Sequence, residues 1–292
     1  GNHIRVEGLV CSQAAVGIAV NGATAAGVWL VGNVCSNNTE YGIHFPYTGA
    51  ATGREFHILQ NVVSGNVLGG MNLQCGLNGD LKPVFFVENN TVYEASVCAR
   101  LACLTYSNRR THVLKNNAFQ AAGAGAKCLV TRPGTLQYSD YNNLHAPDGF
   151  VGAWEGSSSF ATLEAWRAAS GQDRNSISAD SQFADPAAGD LRISSGSPCM
   201  DAGVLSYWML GTADAAGNSR ITGASVDIGA YEVCLRVAAR VFLQGVFAAG
   251  TDAMRTDLAG GGLLPATSPY AADPRTAAVV PGTPLDARAA AG

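Results

Sequence analysis

Four polar residues recur at a near-constant interval: His44, Asn72, Arg100 and Lys127 stand 28, 28 and 27 positions apart. Cations and amides brought into one column could hold carboxylated or sulfated sugars through charge-assisted hydrogen bonds. The other reading of the column is a solvated face with ordinary polar residues. A second series, Trp29, His57, Phe85 and His112 with Tyr138 beyond it, recurs at 28, 28, 27 and 26. Rings stacked in register would offer a platform for the apolar faces of sugars. Alternatively they form a lateral patch covered by a loop, by a helix near 160–170 or by a further module.

Other chemistry is harder to find. Glycoside hydrolysis needs two carboxyl groups about 5–9.5 Å apart. The regular part of the chain offers Glu40, Glu55, Asp80, Glu88 and Glu94, no two at a common repeat position on one face. Glu88 and Lys115 do occupy equivalent positions, which predicts a cross-strand ion pair of small worth. The eight cysteines contain no Cys-x-x-Cys and have no paired histidines beside them, so no metal site is expected.

What must position these residues is a repeated phrase, a short apolar run ending in asparagine. It reads 28–33, 56–61, 84–89 and 111–116, with a weaker copy at 137–142. The asparagines Asn33, Asn61, Asn89, Asn116 and Asn142 are 28, 28, 27 and 26 apart, and a fixed period of this size marks a solenoid. The runs alternate with period two and are rich in β-branched and aromatic residues, which favours strands. A second strand follows each asparagine (Val34-Cys35, Val62-Val63, Thr91-Val92, Ala118-Phe119), and a third begins about ten residues on. The expected fold is all-β: a right-handed parallel β-helix with three strands per turn of 26 to 28 residues. Asparagine suits the bends because it tolerates left-handed backbone and bonds locally, and stacked amides form a ladder.

Composition agrees with that reading. Charged residues make up 14 % of the 292, glycine occurs 35 times, and the formal net charge is −4. With no basic run, no nucleic-acid partner is expected. No apolar stretch of about twenty residues exists, so no membrane span is expected. The chain opens in what reads as a strand, without a signal peptide, as if cut from a longer protein. Cys75 and Cys103 share a position in consecutive third strands, with Cys128 one inward position away, which suits an inward stack of small apolar thiols. Cys199 and Cys234 could pair.

Taken in order, the chain has one irregular turn before residue 28, regular turns over 28–145, and a closing segment over about 157–234. Loops such as 46–53 and 76–83 would project as binding edges. Ser159 is placed to cap a short accessory helix, with Phe160, Leu163 and Trp166 on one face and Gly171 as its stop. Residues 1–234 thus form one domain. Residues 235–292 read as the incomplete start of a following module (Val241 to Gly245, then Met254 to Pro265) and a disordered tail.

The run Gly196-Ser197-Pro198-Cys199-Met200-Asp201-Ala202-Gly203, then Asp214 to Arg220, then Val226-Asp227-Ile228-Gly229-Ala230-Tyr231-Glu232, resembles a known ending. It is similar to the closing segment of bacterial secreted right-handed parallel β-helix proteins, labelled a choice-of-anchor Q domain. The similarity covers roughly residues 137–232; Cys199-Met200 departs from the small apolar pair expected there. The resemblance implies the pectate-lyase-like superfold, export or surface display, and a surface-anchoring module after the coil. Fold membership does not fix an activity. The lyases of that superfold use an Arg or Lys base and carboxylate-held calcium, which makes Arg100 and Lys127 the candidates for a base. No carboxylates accompany them in register, and calcium needs six to eight oxygens. Asp201 and Asp227 are expected to brace turns. The leading expectation is an exported module that binds polysaccharide through the two columns, with calcium needed only if it is a lyase. The rival is a surface adhesin or stalk that meets a protein partner.

Overall fold

The computed structural model describes residues 3–21, 27–46, 55–75, 84–103, 112–234, 241–247 and 251–258. Two units separate in it, residues 1–234 and 235–292. The first is a parallel β-solenoid. Each turn contributes one strand to each of three parallel sheets, containing six, six and seven strands among the described residues, the seventh of the third sheet being antiparallel. The first sheet runs from His3–Glu7 through Gly27–Val31, Glu55–Leu59, Val84–Glu88 and His112–Lys115 to Leu136–Asp140. Alternation sends Leu30, Ile58, Val87 and Leu114 inward, where all four are fully buried. The second sheet adds Cys35, Val63, Val92 and Phe119 to the core, and the third adds Ile43, Met71, Ala99 and Leu129.

The corner between the first two sheets is built by two consecutive residues with separate tasks. The first has left-handed backbone: Gly32, Gln60, Asn89, Asn116 and Tyr141, with φ between 54° and 60°. The second is the ladder asparagine, and the ladder is Asn33, Asn61, Asn90, Asn117 and Asn142. Each Oδ1 accepts the side-chain amide of the asparagine one turn before, at 2.9–3.0 Å, across intervals of 28, 29, 27 and 25. The same oxygens accept that residue's backbone N–H. Asn89 and Asn116 therefore do not belong to the ladder. The pairs Asn89-Asn90 and Asn116-Asn117 place two asparagines at the bend, and only the second points inward. Asn89 and Asn116 reach instead to the closing segment, bonding to Asp227, Gly229 and Val204.

A second ladder lines the corner before the third sheet: Asn38, then Asn66, then Glu94. Both Glu94 oxygens accept from Asn66, its backbone N–H and its amide, each at 2.8 Å. Burial pushes the Glu94 carboxyl up to about 7, against the Asn66 donors that favour its ionised form. Its folded value therefore lies above the unfolded one, so its contribution is fully present below about pH 4.5 and is lost as pH rises through 7. Stability should fall by about 2–3 kcal/mol across that window. In urea titrations at pH 5 and pH 8, Glu94→Gln should remove the Glu94 share of the difference and leave that of Glu232, which burial also raises to about 7.

Beyond the last regular turn, Ser159–Phe160 pairs antiparallel with the third-sheet strand Phe150–Trp154, ending the parallel stack. Helix α1 (Leu163–Ser170) follows. Its cap is Thr162, whose hydroxyl accepts from Ala165 N–H, and Gly171 stops it at φ 69°. Ser159 does not cap it, because the antiparallel strand intervenes. Leu163 and Trp166 are buried, and Trp166 lies flat enough on Gly152 that a Cβ there would sit 2.5 Å from the indole. That contact plugs the coil.

The closing segment runs back along the outside of the coil. Leu191 and Ala230 pack on Val62, while Cys199 and Ile228 pack on Ala118, so the outer face of the second sheet is covered. Asp201 and Asp227 brace this segment by accepting backbone N–H groups from Ala224, Ser225, Asp201 and Val233. Arg220, fully buried, donates to the carbonyls of Gly229 and Asp227 and pairs with Glu232 at 2.6 Å. Burial pushes Arg220 down and Glu232 up, and their mutual attraction opposes both shifts. Cys199 is buried and Cys234 exposed; both are free thiols. In the second unit, Val241–Phe247 and Thr251–Leu258 form an antiparallel pair. The tail 259–292, expected to be disordered, lies outside the described residues. The loops expected to project, 46–53 and 76–83, lie outside them too, apart from Pro46.

Candidate functional site

With the second sheet covered, the third sheet and its flank carry the remaining polar chemistry. His44, Asn72 and Arg100 are in register on consecutive strands. Register then passes from Arg100 to Val130, not to Lys127, which pairs with Val97 and with Phe150. The interval from Arg100 to its partner is 30 residues, so counting 27 lands on a different part of the strand. Lys127 leaves the column and sits 5.5 Å over the Phe150 ring. Asn72 is almost fully buried and accepts from Gln74. His44, half-buried beside Tyr41, has its imidazole pushed down by burial, so it stands neutral at neutral pH.

Arg100 finds its partner far along the chain. Its Nη1 donates to Glu155 Oε1 at 3.2 Å, and Arg132 Nε donates to the other oxygen of Glu155 at 2.7 Å. The three side chains are 20–37 % exposed. Arg132 and Glu155 come from the ends of neighbouring third-sheet strands, where Glu155 N–H bonds to Thr131 O. Two guanidinium groups on one carboxylate leave an excess positive charge on this face. Arg132 also borders a small cleft of about 80 Å³, with Leu136, Trp154, Ser170 and Gln172.

No protein-family model, curated protein or solved structure matches this chain. The description as a parallel β-solenoid therefore rests on strand register and the two ladders.

The aromatic column exists with altered membership. In register are Trp29, His57, Phe86, Val113 and Tyr138. Phe85 and His112 point inward: Phe85 stacks on Phe56 at 4.9 Å and meets the His112 ring edge-on at 5.3 Å, and both are buried. The cause is the interval of 29 at the third turn, which reverses which parity faces out. Outside, Trp29 and His57 stack at 4.7 Å and 5°, and His57 and Phe86 at 4.8 Å and 8°. Rings stacked along the coil axis use their faces on each other and turn edges outward, whereas a sugar needs a face. This column reads as packing; only Tyr138, 38 % exposed, stands apart.

Glu88 and Lys115 pair at 3.5 Å, but Glu88 is buried and also accepts from Ser206 and Trp208 of the closing segment. It is a docking point. Among the described residues, no cluster of three or more His, Cys, Asp or Glu is arranged to hold a metal ion. Among them too, no helix is long and apolar enough to cross a membrane. The Arg100–Glu155–Arg132 cluster was illegible in the sequence, because it joins residues 55 and 23 apart with no motif.

Proposed function

We propose that this solenoid is a binding module for an acidic polysaccharide, gripped on the third-sheet face. The observation that carries the reading is the sharing of Glu155 by Arg100 and Arg132. Arginine forks recognise carboxylate or sulfate groups in two-point fashion, and a second anion can exchange for part of the Glu155 contact. His44, half-buried two strands from Arg100 in the same register, extends the polar line, while Asn72 between them is buried; neighbouring strands lie about 4.8 Å apart. The similarity of residues 196–232 to the ending of secreted β-helix proteins supports an exported or surface-displayed setting.

Affinity electrophoresis through gels containing polygalacturonate, alginate or a neutral glucan tests this. Retardation is expected only in the acidic polymers, weakening as salt rises, and Arg100→Ala with Arg132→Ala should weaken it at least about tenfold, the scale of one lost charge-assisted contact. Retardation unchanged in the double variant would reject the site. Assaying the same polymers for unsaturated ends, with and without calcium, separates a binder from a lyase. A specific observation favours a protein partner as the second reading: Leu205, Tyr207 and Leu210 of the closing segment are 55 %, 90 % and 56 % exposed. Loss of partner capture on Tyr207→Ser, with polymer binding intact, would support it.

A further inference from the structure

Six of the eight cysteines fall opposite one another on adjacent turns. Cys11 is in register with Cys35 in the second sheet, and Cys75 with Cys103 in the third. Cys98 and Cys128 are opposite as well, held between the pairs Val97–Lys127 and Ala99–Leu129. Side chains directly opposite in adjacent strands point to the same face, so the sulfurs approach each other in the pairs Cys11–Cys35 and Cys98–Cys128. Strands about 4.8 Å apart lie within the Cα separation that disulfides span, about 4.4–6.8 Å. All described thiols are free.

Access distinguishes the pairs. Cys98 and Cys128 are fully buried, bonded to the carbonyls of Val92 and Phe119, and no oxidant reaches them in the folded coil. Cys11 is partly exposed, its sulfur in hydrogen-bonding contact with Cys35, which is fully buried. The strand of Cys11, Val10–Ser12, pairs on one side only among the described strands. It can therefore give the few tenths of an ångström to one ångström by which Cβ atoms must close for a disulfide, whose Cβ separation is about 3.5–4.5 Å. We infer that Cys11 and Cys35 form a thiol–disulfide site that, when oxidised by a small-molecule disulfide such as glutathione disulfide, staples the first turn to the second.

The steps balance. Cys11, as thiolate, attacks one sulfur of glutathione disulfide; that S–S bond breaks and one glutathione leaves as thiolate. Cys35, as thiolate, then attacks the Cys11 sulfur of the mixed disulfide and expels the second glutathione. The two protons of the protein thiols end on the two glutathiones, so the cysteine pair is oxidised as the small disulfide is reduced. Burial pushes Cys11 up modestly and Cys35 up to about 12, which makes Cys11 the first attacker and the second step slow.

The full chain, incubated with glutathione disulfide, provides the test. Trypsin releases residues 6–54 as one peptide whose only cysteines are Cys11 and Cys35. Oxidation should cost that peptide two hydrogens and protect it from iodoacetamide until it is reduced. Amide exchange over residues 3–20 should slow by about tenfold or more. Cys35→Ala should leave Cys11 as a lasting glutathione adduct. Full alkylation of the peptide after oxidation, a lasting adduct in the wild-type chain, or Cys11 linked to a different cysteine would each overturn the assignment. The wild-type peptide map decides even if the variant does not fold.

Discussion

Replacing Asn90 with alanine should cost about 3–5 kcal/mol, the scale of several buried polar groups losing their partners at once. The Asn90 oxygen accepts both the backbone N–H and the amide of Asn61, and its own amide donates to Ile58 O, Glu88 O and Asn117. All of these groups are buried, so water does not replace what is removed. The neighbouring Asn89→Gly change provides the contrast. Glycine keeps the left-handed backbone at φ 54° and loses three bonds, each at 3.2 Å, two to the closing segment and one from the Asn116 amide, for about 1–2 kcal/mol. Urea unfolding of both variants measures the difference. Equal losses at the two positions would mean that the ladder has been drawn through the wrong residues.

Arg220→Ala is the second large effect, at about 3–5 kcal/mol, because it strands the Glu232 carboxylate without a counter-charge in the interior. The carbonyls of Gly229 and Asp227 lose one donor each in the same step and keep only the Asn89 amide, and Gln60 on the coil loses its Arg220 contact. Arg220→Lys retains charge but not the fork that reaches several acceptors, and should recover less than half. Pairing Arg220→Met with Glu232→Gln removes both charges and should be milder than Arg220→Ala alone. A double-mutant cycle by thermal unfolding reads the coupling; additive effects would show that the 2.6 Å ion pair contributes nothing of its own.

Repeat length, strand type and the asparagine theme were readable from the residues alone, because a period near 28 and alternating apolar runs have few other structural meanings. Which asparagine of a pair bonds inward was not read correctly. The information was present: Val34, Val62, Thr91 and Ala118 are aligned in the second sheet, and the residues just before them are Asn33, Asn61, Asn90 and Asn117. Counting from the first asparagine of each pair shifted parity by one, which turned Phe85 and His112 outward on paper. Lys127 was misplaced for the same kind of reason, a turn of unequal length. Asn38 and Asn66 also repeat at 28 and signalled the second ladder, but Glu94 at its end disguised the pattern. The Arg100–Glu155–Arg132 cluster had no signature at all. Its members meet only because strands far apart in sequence end at the same edge.

The closing segment touches Gln60, Glu88, Asn89, Thr91 and Asn116, residues from three successive turns. A solenoid whose turns hold only their neighbours frays from its ends and melts in stages. Here one strand of chain is tied to several storeys, so that none can open without releasing the tie on the others. The middle of the coil should thus melt as one block, and its mechanical strength along the axis should exceed what the inter-turn contacts supply.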